Sequence, residues 1–306
     1  MNHDIAGVLP IAHTPFRDDD SIDTKSLARQ IDWAFEVGAS GYCTGMVSEL
    51  LRLSAAERNE LHQLLAECNQ DRGVFVAGVG AESTPQAVEF TEYARRAGAD
   101  AVMAIPPTTS ALPPDQLLHY FSAIAQAADA PLIVQDASSY VGEAIPHAVC
   151  LELLERFGSD RILFKPEAAP LGPNLSALRD LTNGQARIFE GSGGVALIDS
   201  FRRGIVGTMP GMEFLPALVA IWNALRQGDD ETAYRIYFPV CALVTLQLQA
   251  GLDGFLAIEK YVLKKRGLFE TDRRRMPFSW SLDEETRAEV DRLLEILDHA
   301  LTSSPE

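Results

Sequence analysis

The stretch Arg161-Ile162-Leu163-Phe164-Lys165-Pro166-Glu167 decides how the rest of the chain is interpreted. The apolar run Ile162 to Phe164 predicts a short buried strand, and Pro166, which has no N–H to donate, favours the end of that strand. Side chains alternate between the two faces of a strand, so Lys165 and Glu167 share one face. They are either a catalytic amine and carboxylate or a structural ion pair, and these seven residues leave both possibilities open.

The composition limits the classes of function. The chain has 306 residues, of which 47% are hydrophobic, and α/β barrels of this length commonly form one large domain. The net charge of −17 argues against nucleic acid or a membrane surface as a partner, because both would repel an acidic chain. The four cysteines form no CxxC pair, and the N-terminus has no signal-peptide pattern. We therefore expect a soluble, cytoplasmic protein.

Apolar runs of β type alternate with segments of helical period. Eight strands are predicted: Gly7 to Ala12, Gly41 to Gly45, Val74 to Val79, Ala101 to Ile105, Leu132 to Gln135, Ile162 to Lys165, Ala186 to Glu190 and Gly204 to Met209. Helix starts are indicated by the Ser54/Glu57 capping box and by Pro85, Pro114 and Pro146 at first helical positions, and helix ends by Gly38, Gly98 and Gly158.

These repeated β-then-α units predict parallel strands covered by helices and closed into a (β/α)8 TIM barrel. An open doubly wound sheet is the alternative, but the turn at residues 13–16 lacks the glycine fingerprint of a dinucleotide site. Helices are then predicted near residues 213–227, 229–251 and 254–266, and a Ser281/Glu284 capping box predicts the start of a last helix. We assign residues 1–227 to a barrel catalytic domain and 228–306 to a C-terminal helical extension.

The active site of such a barrel lies at the carboxyl ends of its strands. The polar residues predicted there are Thr14, Ser48, Glu49, Gln135, Ser138, Lys165, Glu167 and Thr208, with the glycine-rich loop at residues 191–194. A lysine desolvated by the barrel wall keeps part of its amine neutral and could attack a ketone to form a Schiff base. The six histidines show no HxH or HExxH spacing, so we expect neither a metal nor another cofactor.

The order of these motifs resembles the dihydrodipicolinate synthase and N-acetylneuraminate lyase family of class I aldolases and dehydratases. The matching segments are residues 7–10, 14–16, 48–49, 106–107 and 135–142, and Lys165-x-Glu167. The resemblance implies that Lys165 forms the Schiff base and that backbone N–H groups of residues 46–49 bind the carboxylate of a 2-oxo acid. It also implies a homotetramer built as a dimer of dimers.

The sequence departs from the family pattern at informative positions. Met46 and Val47 replace two threonines, Gln135 replaces a tyrosine that shuttles protons, and Tyr140 replaces an arginine that helps to bind a second carboxylate. The loop at residues 106–110 lacks the tyrosine that completes the proton relay across the subunit interface. Lysine biosynthesis is therefore not expected.

Three segments look most like the 2-keto-3-deoxy-L-arabonate dehydratase branch, in which a glutamine also replaces the tyrosine: Gln135-Asp136-Ala137, Lys165-x-Glu167 and Phe189-Glu190-Gly191. We expect a Schiff-base lyase that dehydrates a 2-keto-3-deoxy sugar acid, such as 2-keto-3-deoxy-L-arabonate, to 2-oxoglutarate semialdehyde. Glu167 is the expected acid and base, assisted by Ser48 or by a water that Gln135 holds. The alternatives are a pyruvate-dependent aldolase of the same family and a non-catalytic 2-oxo acid binding protein.

The expected substrate contacts are Thr14, Val47, Glu49, Ser138, Gly191 and Thr208. Each polar residue also has a structural interpretation. Ser48 could cap a turn, Gln135 could bond the backbone at the barrel mouth, and Glu49 is favoured as a scaffold residue paired with an arginine. The glycine-rich loop could hold a phosphate, but a close approach of the substrate is favoured.

Overall fold

The computed structural model describes residues 4–303, in which parallel strands alternate with helices. The strands are β1 (Gly7–Val8), β2 (Gly41–Cys43), β3 (Val74–Gly78), β4 (Ala101–Ala104), β5 (Leu132–Asp136), β6 (Ile162–Pro166), β7 (Arg187–Glu190) and β8 (Gly207–Thr208). The helices of the barrel are α1 (Thr24–Glu36), α2 (Ala55–Asn69), α3 (Thr84–Ala97), α4 (Pro114–Ala128), α5 (His147–Phe157), α6 (Leu171–Leu181), α7 (Leu197–Arg202) and α8 (Leu215–Gln227). Three further helices follow: α9 (Asp230–Leu248), α10 (Gly251–Lys265) and α11 (Glu284–Thr302).

The sheet closes on itself. Its ladder runs in the order β1-β8-β7-β6-β5-β4-β3-β2, and a parallel bridge between Ile11 and Cys43 joins the continuation of β1 to β2. The Ala12 N–H donates to the Cys43 carbonyl at 2.8 Å, which strengthens this junction. The regular strand β1 is short because Pro10 has no N–H for the ladder. The predicted (β/α)8 TIM barrel is therefore confirmed, and the open doubly wound sheet is wrong.

Most local signals in the sequence mark the correct element ends. The Ser54/Glu57 capping box is confirmed, since the Ser54 N–H donates to Glu57 Oε2 at 2.8 Å and Ser54 Oγ accepts the Glu57 N–H at 3.3 Å. Gly98 ends α3 with a φ of 101°, a left-handed conformation that suits glycine. Of the three prolines predicted at first helical positions, only Pro114 is there, because Pro85 is the second residue of α3 and Pro146 precedes α5.

Two other element ends were predicted wrongly. Gly204, with a φ of 90°, belongs to the turn that follows α7, because its N–H donates to the Phe201 carbonyl. The eighth strand therefore begins later than predicted. Helix α11 is capped by Asp283, whose side chain accepts the Thr286 N–H at 2.7 Å, and not by Ser281. An aspartate two residues further on thus takes the role that the capping-box pattern gave to the serine.

The barrel interior determines where Lys165 points. Leu163 packs inside the barrel with Ile133, Met103 and Phe189, whereas its neighbours on β6 belong to the layer between strands and helices. Lys165 follows Leu163 by two residues and therefore also faces inward, at the carboxyl end of β6. The alternation predicted from the sequence thus places the amine at the barrel mouth.

The C-terminal helices pack directly onto the barrel. Helix α9 lies against α8, α10 and α11, and α10 reaches the short 3₁₀ turn at Met46–Ser48 at the mouth of the barrel. One hydrophobic cluster contains Leu225 of α8, Val240 of α9, Leu263 of α10 and Leu294 of α11. Within residues 4–303, no helix has the length and apolar character needed to cross a membrane.

Candidate active site

A pocket lies at the carboxyl ends of the strands. Lys165 and Glu167 line it, together with Gln135 from the end of β5 and Gly191 from the loop after β7. Val47, in the 3₁₀ turn after β2, also contributes to the wall. These five residues were all predicted as site residues from their positions at strand ends, and the fold brings them together around one pocket.

Lys165, Glu167 and Gln135 form a buried polar group in this pocket. The Lys165 amine lies 3.2 Å from Glu167 Oε1, and the Gln135 side-chain amide donates to Glu167 Oε2 at 2.6 Å. Lys165 is 1% exposed and Glu167 is 4% exposed. Gln135 and Lys165 are direct partners in the register of β5 and β6, which explains why the two side chains meet over one carboxylate.

Burial is the largest influence on the Glu167 carboxyl and raises its pKa, while the Lys165 amine and the Gln135 amide oppose the shift. The negative charge of Glu190 adds to the increase. The backbone of Glu167 is fixed on both sides: its N–H donates to the Asp136 carbonyl at 2.8 Å, and its carbonyl accepts the Ser139 hydroxyl. A carboxyl group with a raised pKa at a fixed position suits proton transfer near neutral pH.

Gly191 leaves the space that the Lys165 and Glu167 side chains occupy. A Cβ atom at residue 191 would lie 2.3 Å from Cε of Lys165 and 2.4 Å from Oε1 of Glu167, so any side chain would displace both groups. The preceding residue, Glu190, is anchored by Thr208, whose hydroxyl donates to Glu190 Oε2 at 2.6 Å. The glycine-rich loop therefore approaches the lysine closely, and the close approach of a substrate to this loop stays a prediction.

Other predicted site residues lie behind the pocket wall. Thr14 is fully buried, and its hydroxyl donates to the Ser48 carbonyl at 2.7 Å. The Ser48 hydroxyl donates to the Ala12 carbonyl at 2.5 Å and accepts the Gly45 N–H at 3.1 Å. Both hydroxyls are thus engaged with backbone. We expect these residues to shape the loop after β2, although a direct role for the Ser48 hydroxyl stays a prediction.

Ser138, Thr208 and Glu49 also lie outside the pocket lining. The Ser138 N–H donates to Asp136 Oδ1 at 3.0 Å, which forms a turn at the end of β5. Glu49 is 1% exposed and adopts a left-handed φ of 61°. Its carboxylate forms a buried ion pair with Lys260 of α10 and accepts the Arg275 N–H at 2.6 Å. The expected scaffold role fits this geometry, but the partner is a lysine and not an arginine side chain.

A second group of buried polar side chains adjoins the pocket. Its members are His13, which follows β1, Glu213 in the loop after β8, and Glu259 of α10, which also lines the pocket. His13 Nε2 lies 2.8 Å from Glu259 Oε2, and the Gln247 side chain donates to Glu213 Oε1 at 2.7 Å. Together these residues form what we call the His13 cluster.

Burial shifts the pKa values of all three members of the His13 cluster. Burial lowers the pKa of His13 to about 4, so the imidazole is neutral at physiological pH. Burial, and then the charge of Glu259, raise the pKa of Glu213 to about 7, and burial raises that of Glu259 well above its ordinary value. One ligand atom from each of His13, Glu213 and Glu259 lies within 4.8 Å of the others, so these side chains are of the types and spacing that could hold a metal ion.

The raised pKa of Glu213 predicts a pH-dependent stability. A carboxyl whose pKa is higher in the folded state contributes stability below its unfolded pKa of 4.5, and that contribution is lost as the pH rises through about 7. Glutamine does not ionise, so Glu213→Gln should not lose this stability as the pH rises. Relative to the wild type, the free energy of unfolding of the variant should rise by about 3 kcal/mol between about pH 4.5 and pH 8 in urea titrations.

The neutral His13 acts in the opposite direction, because a lowered histidine pKa contributes stability above pH 6.5 that is lost as the pH falls through about 4. His13 and Glu213 influence each other's pKa, so the comparison between variant and wild type reports on Glu213 most directly above pH 6.5, where the imidazole is neutral. Glu295→Gln, on the exposed side of α11, is the matched control and should follow the wild type at every pH. A Glu213→Gln difference that does not change with pH would contradict the assignment.

The sequence analysis did not identify Glu259, Glu213 or His13 as site residues. They come from α10, from the loop after β8 and from the segment that follows β1, so no local spacing connects them. One signal was available: Glu259 and Lys260 place two adjacent charges in an otherwise apolar helical segment, Phe255 to Leu263. Charges in such a segment indicate buried partners.

Comparisons with known proteins agree with this architecture. A model of the dihydrodipicolinate synthetase family matches residues 4–297. The 4-hydroxy-tetrahydrodipicolinate synthase of Methanosarcina mazei is 32% identical over 78% of this chain and 81% of its own length. The L-2-keto-3-deoxyarabonate dehydratase of Azospirillum brasilense is 26% identical over 95% of this chain and 94% of its own length.

Among solved structures, the dihydrodipicolinate synthase of Rhodopseudomonas palustris superposes with a TM-score of 0.86 at 30% identity, covering 95% of this chain and 97% of its own. The match therefore includes both the barrel and the C-terminal helices. The resemblance inferred from the motifs is confirmed. With its family match spanning nearly the whole chain and its barrel closely superposable on a solved relative, this protein belongs to the dihydrodipicolinate synthetase family, whose enzymes are lyases.

Proposed function

We propose that this protein is a Schiff-base-forming dehydratase of a 2-keto-3-deoxy sugar acid, such as 2-keto-3-deoxy-L-arabonate, which it converts to 2-oxoglutarate semialdehyde. The observation that carries the proposal is the group formed by Lys165, Glu167 and Gln135. An amine buried in the barrel mouth lies 3.2 Å from a carboxyl with a raised pKa. Gln135 donates a hydrogen bond to that carboxyl. Position 135 therefore carries an amide side chain and not a hydroxyl that could relay protons.

The proposed reaction begins at the Lys165 amine. It attacks the C2 ketone of the substrate, and loss of water gives an imine. Glu167 lies beside the amine and therefore close to C3, one bond away, from which it takes a proton to give an enamine. The enamine expels the C4 hydroxyl, which leaves as water with the proton that Glu167 returns. One carboxyl thus serves as base and then as acid.

The remaining steps complete the balance. A proton moves from C5 to C3, and the enol formed at C4 and C5 becomes an aldehyde when its hydroxyl proton is lost and C4 is protonated. Hydrolysis then frees Lys165 and the product. The net change is the loss of one water molecule from the substrate, and no oxidant, metal or other cofactor is required.

The replaced residues favour dehydration over carbon–carbon cleavage. Cleavage between C3 and C4 requires a base for the C4 hydroxyl proton, a task suited to a tyrosine relay. The position at the end of β5 carries Gln135, whose side chain is committed to Glu167, and the turn after β2 carries Met46 and Val47. The nearly full-length match to a 2-keto-3-deoxyarabonate dehydratase supports the same choice.

A carbon–carbon lyase of the same family is the second candidate. Its support is the 32% identity to a 4-hydroxy-tetrahydrodipicolinate synthase, a higher value than the identity to the dehydratase, over a smaller part of the chain. The two candidates differ in their products from 2-keto-3-deoxy-L-arabonate. A dehydratase gives the semialdehyde, whereas an aldolase gives pyruvate and glycolaldehyde.

Product analysis therefore tests the proposal. We expect purified enzyme and 2-keto-3-deoxy-L-arabonate to yield a five-carbon semialdehyde, detected by mass spectrometry after aldehyde derivatisation, with no pyruvate in a lactate dehydrogenase assay. Formation of pyruvate in equal amount to consumed substrate would replace the dehydratase by the aldolase. Thermal stabilisation by the acid without any turnover would instead indicate a 2-oxo acid binding protein.

We propose the assembly from the resemblance to the family, and the compartment and partners from the composition of the chain. We expect a homotetramer, a dimer of dimers, that acts in the cytoplasm on a small-molecule 2-oxo acid without nucleic acid or membrane partners. The four cysteines are free thiols, which agrees with a reducing compartment. Sedimentation velocity of the purified protein measures the oligomeric state directly.

A further inference from the structure

The pocket has two regions of different polarity. Near Lys165, the polar side chains bond one another. The other side chains on the wall are mainly apolar, as in Ile11, Met46, Leu252 and Phe255. Two polar side chains interrupt that apolar region, Tyr140 and Glu259. A sugar acid has hydroxyl groups along its chain, and their desolvation in the pocket is costly unless they find partners.

Glu259 is held with one carboxyl oxygen bonded and the other directed toward Gly211. Its Oε2 meets His13 Nε2 at 2.8 Å. A Cβ atom at residue 211 would lie 2.7 Å from Glu259 Oε1 and 2.2 Å from Glu213 Oε2, so both oxygens lie against bare backbone at a residue that itself lines the pocket. Glu259 is only 1% exposed in a helix whose neighbouring residues are apolar.

A carboxyl in such surroundings is stable only with hydrogen-bonding partners. His13 Nε2 is such a partner for Glu259. The other ring nitrogen of His13, Nδ1, and Glu213 Oε2 are buried without a partner among the described residues. The His13 cluster therefore contains more hydrogen-bonding capacity than the protein itself satisfies. Glu259 is the member of the cluster that lines the pocket. A bound molecule would therefore meet the cluster at the Glu259 carboxyl.

We propose that Glu259 is a specificity-determining residue whose carboxyl binds an uncharged hydroxyl group on the part of the substrate beyond C3. The inference rests on the proposed function, because it takes Lys165 as the point at which C2 is attached. The Glu259 carboxyl has one oxygen, Oε1, that is not bonded to His13, and this oxygen can accept a hydrogen bond from a substrate hydroxyl.

The charge of the pocket supports a neutral substrate tail. Among the residues that line the pocket, Lys165 is the only cationic side chain, and imine formation occupies it. A second carboxylate on the substrate would lie near Glu167 and Glu259 without a cation to pair with, which disfavours its binding. The substrate class is therefore a 2-oxo acid with a hydroxylated, uncharged chain.

Two 2-oxo acids of equal charge test the subsite: 2-oxopentanoate and 5-hydroxy-2-oxopentanoate. Neither has a C4 hydroxyl, so neither can be dehydrated or cleaved, and both can be trapped on the lysine by borohydride. We expect the wild type to half-saturate with the hydroxylated acid at a concentration about fivefold lower, the effect of one hydrogen bond. Glu259→Leu should remove this preference, whereas Glu259→Gln, which can still donate and accept, should keep it.

Pyruvate, which has no tail, is the internal reference and should trap equally well in the wild type and both variants. Glu295→Gln is the matched control and should keep the preference unchanged. Three outcomes would overturn the subsite. The wild type shows no preference, folded Glu259→Leu keeps the preference, or Glu259→Leu loses adduct formation equally with all three acids. Loss of the preference after EDTA treatment would assign the His13 cluster to a metal ion and would also overturn it.

The outcomes of the two proposals are distinguishable. If the Schiff-base function is wrong, none of the three acids will form an adduct, including pyruvate. The preference can then still be measured as the difference in thermal stabilisation by the two longer acids. If the subsite alone is wrong, adducts will form normally and the two longer acids will show the same half-saturation.

Discussion

Lys165→Ala should abolish both imine formation and turnover. The wild type, incubated with pyruvate and borohydride, should gain one reduced pyruvate adduct by intact mass, and the variant none. Removal of the covalent step should lower turnover at least about a thousandfold, because the neighbouring carboxyl cannot activate C3 without the imine. The fold should persist, since Glu167 has a raised pKa and can become neutral when its cation is lost.

Peptide mapping locates the adduct without ambiguity. Trypsin cleaves after Arg161 and Arg179 and does not cleave before Pro166, so residues 162–179 form one peptide in which Lys165 is the single lysine. Lys25→Ala, at an exposed position, is the control and should keep the full adduct. An adduct on any other peptide would move the reactive amine elsewhere. A folded wild type that forms no adduct with pyruvate would remove the Schiff base itself.

Glu167→Gln should separate imine formation from the later proton transfers. The variant should still trap pyruvate on Lys165, because attack by the amine does not require the carboxyl. Turnover of 2-keto-3-deoxy-L-arabonate should fall by about 100- to 10,000-fold, the usual contribution of a general acid and base. Glutamine preserves the size of the side chain and can accept the Gln135 hydrogen bond, so the pocket should keep its shape.

The comparison of rates decides this assignment. Trapping is measured as the initial rate of adduct formation, and turnover as release of the semialdehyde, for the same protein samples. Glu295→Gln should match the wild type in both. Full turnover by Glu167→Gln would transfer the acid and base role to another group, and equal loss of trapping and turnover would indicate that Glu167 only positions Lys165.

The barrel was predictable from the sequence because its local signals are independent of one another and consistent. The Ser54/Glu57 box and the helix-ending Gly98 mark helix boundaries, and the continuous apolar strands require cover on both faces. The errors occurred where a local signal allows two interpretations. Gly204 fits a strand start or a turn, and a serine and an aspartate compete for the cap of α11.

The buried group formed by Lys165, Glu167 and Gln135 was predictable for a simple geometric reason. Lys165 and Glu167 share a strand face, and Gln135 is paired with Lys165 across the adjacent strand. The charges of Glu259 and Lys260 in an apolar segment indicated buried partners, but the place of Glu259 at the pocket was not predictable, because it depends on how α10 packs over the barrel mouth. Sequence patterns likewise could not show that the Ser48 hydroxyl turns to the Ala12 carbonyl and away from the pocket.

The buried ion pair between Glu49 and Lys260 bears on what counts as the smallest folding unit of this enzyme. Lys260 also donates to the carbonyl of Thr14 at 2.9 Å, so one amine of α10 ties together two loops at the barrel mouth. A chain ending at residue 227 would lack Lys260 and would therefore lose both of these contacts at the barrel mouth. We therefore expect the helical extension and the barrel to unfold together as one cooperative unit.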